Sequence, residues 1–156
     1  MSAWDDNCLK SYLCANNVSV DFRDLIVGDE LGRGTSRAVY THRLDSSAII
    51  KFEYTNRTFQ NVHEMHVWET VKGTEYEKWF APCLHISNSG HILIQKKTSI
   101  PEPKEYPEKI PNFLTDIGRR NFGMFEGRFV AHDYGFSRLL HVGLTKRMQK
   151  ADWAWD

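Results

Sequence analysis

Cysteine is scarce in this chain. The three residues, Cys8, Cys14 and Cys83, form no Cys-x-x-Cys pair. An odd count without that spacing argues against both a disulfide framework and a zinc ribbon, and suits a reducing compartment. Net charge is lacking as well, since twenty Lys and Arg balance twenty Asp and Glu, so no global attraction to nucleic acid or to a membrane surface is expected. No run approaches the ~20 apolar residues needed to cross a bilayer, and the first residues lack the basic-then-apolar pattern of a secretory leader. A cytoplasmic protein is the expectation. Proline is sparse and confined, with every proline except Pro82 lying within residues 100–111; no long helix can run through that stretch, which reads as a connector.

What is present is a folding chain. Hydrophobic residues make up 41% of the 156 and aromatics 13%, enough for one core or for two small lobes around a cleft. Residues 3–15 place Trp4, Cys8, Leu9, Tyr12 and Leu13 at helical spacing, as an N-terminal brace would. Residues 18–22 alternate briefly. Leu31-Gly32-Arg33-Gly34-Thr35-Ser36-Arg37-Ala38-Val39-Tyr40 reads as strand, tight turn and returning strand, a shape in which backbone N–H groups can approach a phosphate. A second strand, Ala48-Ile49-Ile50-Lys51-Phe52-Glu53, carries a lysine among apolar neighbours, which is costly unless the charge is paired.

Residues 58–72 read as a helix, with Val62, Met65, Trp68 or Glu69, and Val71 marking one face. Two acids on this helix are open as the partner of Lys51: Glu64, followed at +3, +4 and +7 by Val67, Trp68 and Val71, and Glu69. His63 and His66 stand three apart without the His-Glu-x-x-His spacing or a further ligand cluster. Residues 80–86 and 91–96 form a hairpin about Asn88-Ser89-Gly90. After a helical turn over residues 111–116, Asp116 is followed at the fifth position by Asn121, then by a turn at Phe125-Glu126-Gly127, a β-prone run over residues 128–131, and Asp133 in Asp-Tyr-Gly. Residues 138–148 hold one strand or a short helix. Trp153 and Trp155 are expected to pack rather than lie open.

These stretches, from about Leu31 to Phe136, resemble the protein kinase-like superfamily. The resemblance implies an α+β fold, with residues 1–156 as a single compact domain. Residues 18–98 would be the N-lobe, a five-stranded antiparallel sheet with one main helix; residues 99–111 the connector; and residues 112–156 a minimal catalytic lobe. It implies ATP and Mg²⁺ as cofactors. Asp116, Lys51 and Glu64 would be catalytic, and Asn121 and Asp133 would hold the metal. Gly32, Gly34, Arg37, Val39, Lys51 and Lys96 would contact the nucleotide, with residues 95–98 as the hinge. The activity implied is phosphoryl transfer to a protein hydroxyl by a minimal serine/threonine kinase. The alternative is a pseudokinase-type protein that inhibits or scaffolds a partner.

The departures are specific. Arg37 stands where the family has its third glycine, so it either reaches the phosphates or braces the loop. Leu114-Thr115 replace the His-Arg that precedes the family's catalytic Asp, and no Ala-Pro-Glu segment follows Asp-Tyr-Gly. Such compaction suits a viral, particularly bacteriophage, protein at work in a host cytoplasm.

Overall fold

The computed structural model describes residues 17–54 and 58–153. The helix expected over residues 3–15, and Trp155, lie outside them. The fold is mixed α/β and is laid out around strand β3 (Ala48–Glu53), whose run of Ala, Ile and Phe suits a strand covered on both faces. On one side it pairs antiparallel with β2 (Arg37–His42), which in turn pairs with β1 (Val27–Arg33). On the other side lie β5 (Ile92–Lys96) and then β4 (Cys83–Ile86), completing a five-stranded antiparallel sheet in the order β1-β2-β3-β5-β4. The turn between β4 and β5 closes at Gly90, where φ is 78° and a left-handed backbone favours glycine.

Residues 18–22 belong to a helix, α1 (Asn17–Ile26); their alternation is too short to outweigh the helical spacing of Val18, Phe22 and Leu25. The main helix, α2 (Gln60–Val71), packs on β3, β4 and β5. Its buried face runs through Glu64, Val67, Trp68 and Val71, while Val62 and Glu69, expected on the apolar stripe, are exposed. Rotation about the helix axis is thus set by the burial of a carboxylate.

The connector is more structured than its prolines imply. A 3-10 turn at Pro103–Glu105 leads into β6 (Lys109–Pro111), which pairs with β9 (Met148–Lys150), so the C-terminal stretch returns to the connector. The helical turn expected over residues 111–116 reduces to one bond, from the Leu114 N–H to the Pro111 carbonyl. Strands β7 (Phe122–Phe125) and β8 (Arg128–Ala131) form a tight hairpin. Glu126 and Gly127 both take positive φ in its turn, as a two-residue hairpin of this hand requires. Residues 138–148 supply a short helix, α3 (Leu139–Val142), as well as the start of β9.

One apolar cluster draws on both sides of the connector: Val67, Trp68 and Leu93 on one, Phe113, Phe122 and Leu139 on the other. Phe80 stands between them, stacked on Phe113 at 5.9 Å and edge-on to Tyr134 at 5.0 Å. Trp153 packs against Phe122 and Phe129, and its indole N–H donates to the Pro107 carbonyl at 2.9 Å. Among the described residues no helix is long and apolar enough to cross a membrane.

Candidate functional site

Side chains alternate along a strand, so Lys51 and Glu53 leave β3 on one face. Both are buried. The Lys51 ammonium donates to Glu64 Oε2 at 2.8 Å and to the His132 carbonyl at 2.5 Å, which answers the cost of an ammonium only 2% exposed. Glu64 is therefore its partner, and Glu69 is exposed.

Glu53 explains why Glu64 faces inward. Its Oε1 accepts from the Gln60 N–H at 2.9 Å and the Thr58 hydroxyl at 2.6 Å, and its Oε2 from the Asn61 N–H at 3.0 Å. A carboxylate on the strand thus caps the first turn of α2, where Phe59 offers no side-chain cap. Burial raises the Glu53 pKa, but these bonds outweigh it and hold the carboxyl below its ordinary value.

The other oxygen of Glu64 accepts from the Tyr134 N–H at 3.1 Å and lies 2.9 Å from Arg37 Nη2. Arg37 enters from the first position of β2, in register with Glu53. The same Nη2 donates to Asp133 Oδ1 at 2.5 Å, and Nη1 to Asn61 Oδ1 at 3.4 Å. Arg37, Lys51, Glu64 and Asp133 thus form one ionic cluster that joins β2, β3, α2 and the Asp-Tyr-Gly segment, with the Glu53 carboxylate close enough to feel the Arg37 charge. Burial works against the Arg37 charge, but Glu64 and Asp133 more than offset it and raise the pKa. Burial likewise pushes Asp133 up, and Lys51 and Arg37 overcome it, leaving the carboxyl below its ordinary range.

No family model matches the chain, and a search of curated proteins finds no match. The reading of the site therefore rests on its geometry.

Asp133 is held by its backbone: its N–H and that of His132 both donate to the Asn121 carbonyl, at 3.1 and 2.9 Å. Asn121 is buried, and its amide nitrogen donates to the Asp116 carbonyl at 3.3 Å. Asp116 itself is exposed. With Thr115, Asp133, Phe136 and Ser137 it lines a shallow depression enclosing about 10 Å³, room for about one water. The Asn121 amide oxygen and the Asp133 carboxylate are hard oxygen donors of the kind Mg²⁺ takes. One Asp133 oxygen is already held by Arg37, so these donors suit the ion once that guanidinium has moved.

The glycine-rich turn is less committed. Neither Gly32 nor Gly34 has positive φ, and a Cβ at Gly32 would meet nothing within 4 Å. The Gly34 N–H donates to the Arg37 carbonyl at 2.8 Å, and its own carbonyl accepts from the Tyr54 hydroxyl. Val39 is half-buried between Gly32 and Lys51 on the neighbouring strands. Lys96 is not brought to the cluster; its ammonium donates to the Ser47 hydroxyl at 2.9 Å. His63 bonds the Gly135 carbonyl through Nδ1 at 2.5 Å, while His66 is exposed. Among the described residues no three His, Cys, Asp or Glu are grouped to hold a metal.

Sequence reasoning missed Glu53, Asn61 and His132. The signal for Glu53 was its place two residues after Lys51, on the same strand face. His132 Nε2 faces the Arg120 carbonyl at 2.7 Å and must donate to it, so the neutral ring accepts from the Thr98 hydroxyl through Nδ1 at 2.7 Å. Burial, then the Lys51 charge, lower the His132 pKa.

A pH dependence follows. For both His132 and Asp133 the folded pKa lies below the unfolded one, so between those values the unfolded chain binds more protons and stability rises with pH. The His132 contribution is complete above its ordinary value of 6.5 and is lost as pH falls below it; that of Asp133 is lost below 3.8. The urea midpoint is expected to drop between pH 7.5 and 5.5, with a flatter slope in His132→Gln. An unchanged slope in the variant would locate the proton uptake elsewhere.

Proposed function

We propose that the chain is a minimal kinase-like protein, an ATP- and Mg²⁺-dependent phosphotransferase acting on a protein hydroxyl. The observation that carries this reading is the meeting of Lys51 and Glu64 with Asp133 in one buried ionic cluster, closed by an Arg37–Asp133 contact spanning 96 residues of sequence. The five-stranded sheet with α2 against it agrees with that fold. In this reading Lys51, oriented by Glu64, neutralises phosphate charge. Asn121 and Asp133 offer oxygens to the metal, and the exposed Asp116 orients the acceptor hydroxyl and accepts its proton. Bound Mg²⁺–ATP would supply the phosphoryl group and offset its charge. The work left to the protein is positioning and electrostatic stabilisation, which do not require a large substrate lobe.

The test is transfer of labelled phosphate to a mixed protein acceptor, together with a thermal-shift titration by Mg²⁺–ATP. Asp116→Ala is expected to lose about 10²-fold or more of transfer, the range of general-base effects, and to keep the thermal shift. Undiminished transfer removes Asp116 from the role. Absence of both shift and transfer in the wild type ends the reading.

A second reading, a pseudokinase-type protein that binds and inhibits or scaffolds a partner, is favoured by the Arg37–Asp133 ion pair, which occupies the metal-ligand carboxylate. A thermal shift without transfer to any acceptor, or with Mg²⁺ dispensable, selects it.

A further inference from the structure

The nucleotide site proposed above carries its own occupant. Arg37 is 6% exposed and reaches two carboxylates with one nitrogen, Glu64 at 2.9 Å and Asp133 at 2.5 Å. Lys51 supplies the cluster with a second cation, and the buried Glu53 beside Arg37 adds a third carboxylate to Glu64 and Asp133. Asp133 is the member nearest solvent, its side chain 41% exposed, so an incoming ion meets it first. The strand end bearing Arg37 is preceded by an open turn. That turn exposes Gly32, Gly34 and Thr35, adding a Cβ at Gly32 would meet nothing, and one at Gly34 would meet only the Arg37 carbonyl at 3.8 Å. The backbone that follows is fastened: the Ser36 carbonyl accepts from the Tyr54 N–H at 3.0 Å, its hydroxyl accepts from Gln60 Nε2 at 2.7 Å, and Arg37 pairs with Glu53 on β3, so the part that can leave is the Arg37 side chain.

We propose that Arg37 is a gate: its guanidinium shuts the acidic end of the site in the nucleotide-free protein. Opening is an exchange in which Asp133 gives up the guanidinium for a divalent cation, and the side chain swings toward the open turn. The proposal rests on the nucleotide reading and adds regulation to it. It opposes the simpler idea that Arg37 is a standing phosphate arm, because a gate lowers affinity by keeping the competent state scarce, whereas an arm raises it.

The experiment is calorimetric titration of Mg²⁺–ATP into wild type and Arg37→Ala, with urea unfolding of both and of their Asp133→Asn counterparts. The gate predicts about ten-fold or tighter binding by Arg37→Ala, and a loss of ligand-free stability that is smaller in the Asp133→Asn background, where only the Arg37–Glu64 pair remains to be lost. Equal or weaker binding by the variant, with binding still measurable, overturns the gate and leaves the nucleotide site standing. No binding by either protein overturns the site and the gate together. If Arg37→Ala does not fold, Arg37→Lys serves: it keeps the charge but loses the forked reach to two carboxylates. Tighter binding than wild type supports the gate, and weaker or equal binding overturns it.

Discussion

Glu64→Gln is expected to lower the free energy of unfolding by about 3–5 kcal/mol, the range for removing one partner from a buried ion pair. Glu64 is fully buried and satisfies Lys51, Arg37 and the Tyr134 N–H together. Glutamine keeps the volume but removes the charge and brings an NH₂ toward two cations. Lys51 then loses its carboxylate partner in the interior, while Arg37 keeps Asp133. Urea unfolding at pH 7.5 checks the value. A loss below about 1 kcal/mol would be that of a surface pair and would mean that water reaches the cluster. The same variant should lose the thermal shift with Mg²⁺–ATP, because Lys51 would no longer be oriented.

Phe80→Ala is expected to cost about 3–5 kcal/mol, as large-to-small changes of buried aromatics do. Phe80 is 1% exposed and bridges the two halves of the core through Phe113 and Tyr134. Its neighbour Ala81 donates to the Ala131 carbonyl at 2.8 Å, so the backbone there is tied to β8 and cannot collapse freely into the void. Tyr134 follows Asp133, so the loss should also loosen the acidic end of the site. Unfolding in urea reads the stability term, and Phe80→Leu, which refills most of the space, should recover more than half of it. Full stability in Phe80→Ala would mean that the two halves close up without this ring.

Local patterns in the sequence were sufficient for three strands of the sheet. The apolar run around Lys51, the Asn-Ser-Gly turn before β5 and the alternation on either side of it each reflect short-range chemistry, and β3, β4 and β5 lie where those patterns put them. The preference for Glu64 over Glu69 came from the likeness of its Val67, Trp68 and Val71 stripe to the one that follows the ion-pairing Glu of kinase-like proteins. Long-range pairing was not readable. Strands β6 and β9 are three residues each and meet across the connector, too short for any periodicity and masked by proline. The destination of Arg37 depends on the β2–β3 register and on a partner far along the chain. Only the odd residue in a glycine position hinted at it. The stripe assigned to α2 through Val62 failed because hydrophobicity alone sets a helix's rotation poorly when a buried carboxylate and a strand-borne cap decide it.

That cap has a mechanical consequence. Because Glu53 grips the backbone at Gln60 and Asn61, the first turn of α2 is a fixed point, and any tilt of the helix would pivot there. At 1.5 Å per residue, Glu64 lies about 6 Å from this pivot and Val71 about 16 Å. A tilt about that point would therefore displace Glu64 by only about a third as much as Val71.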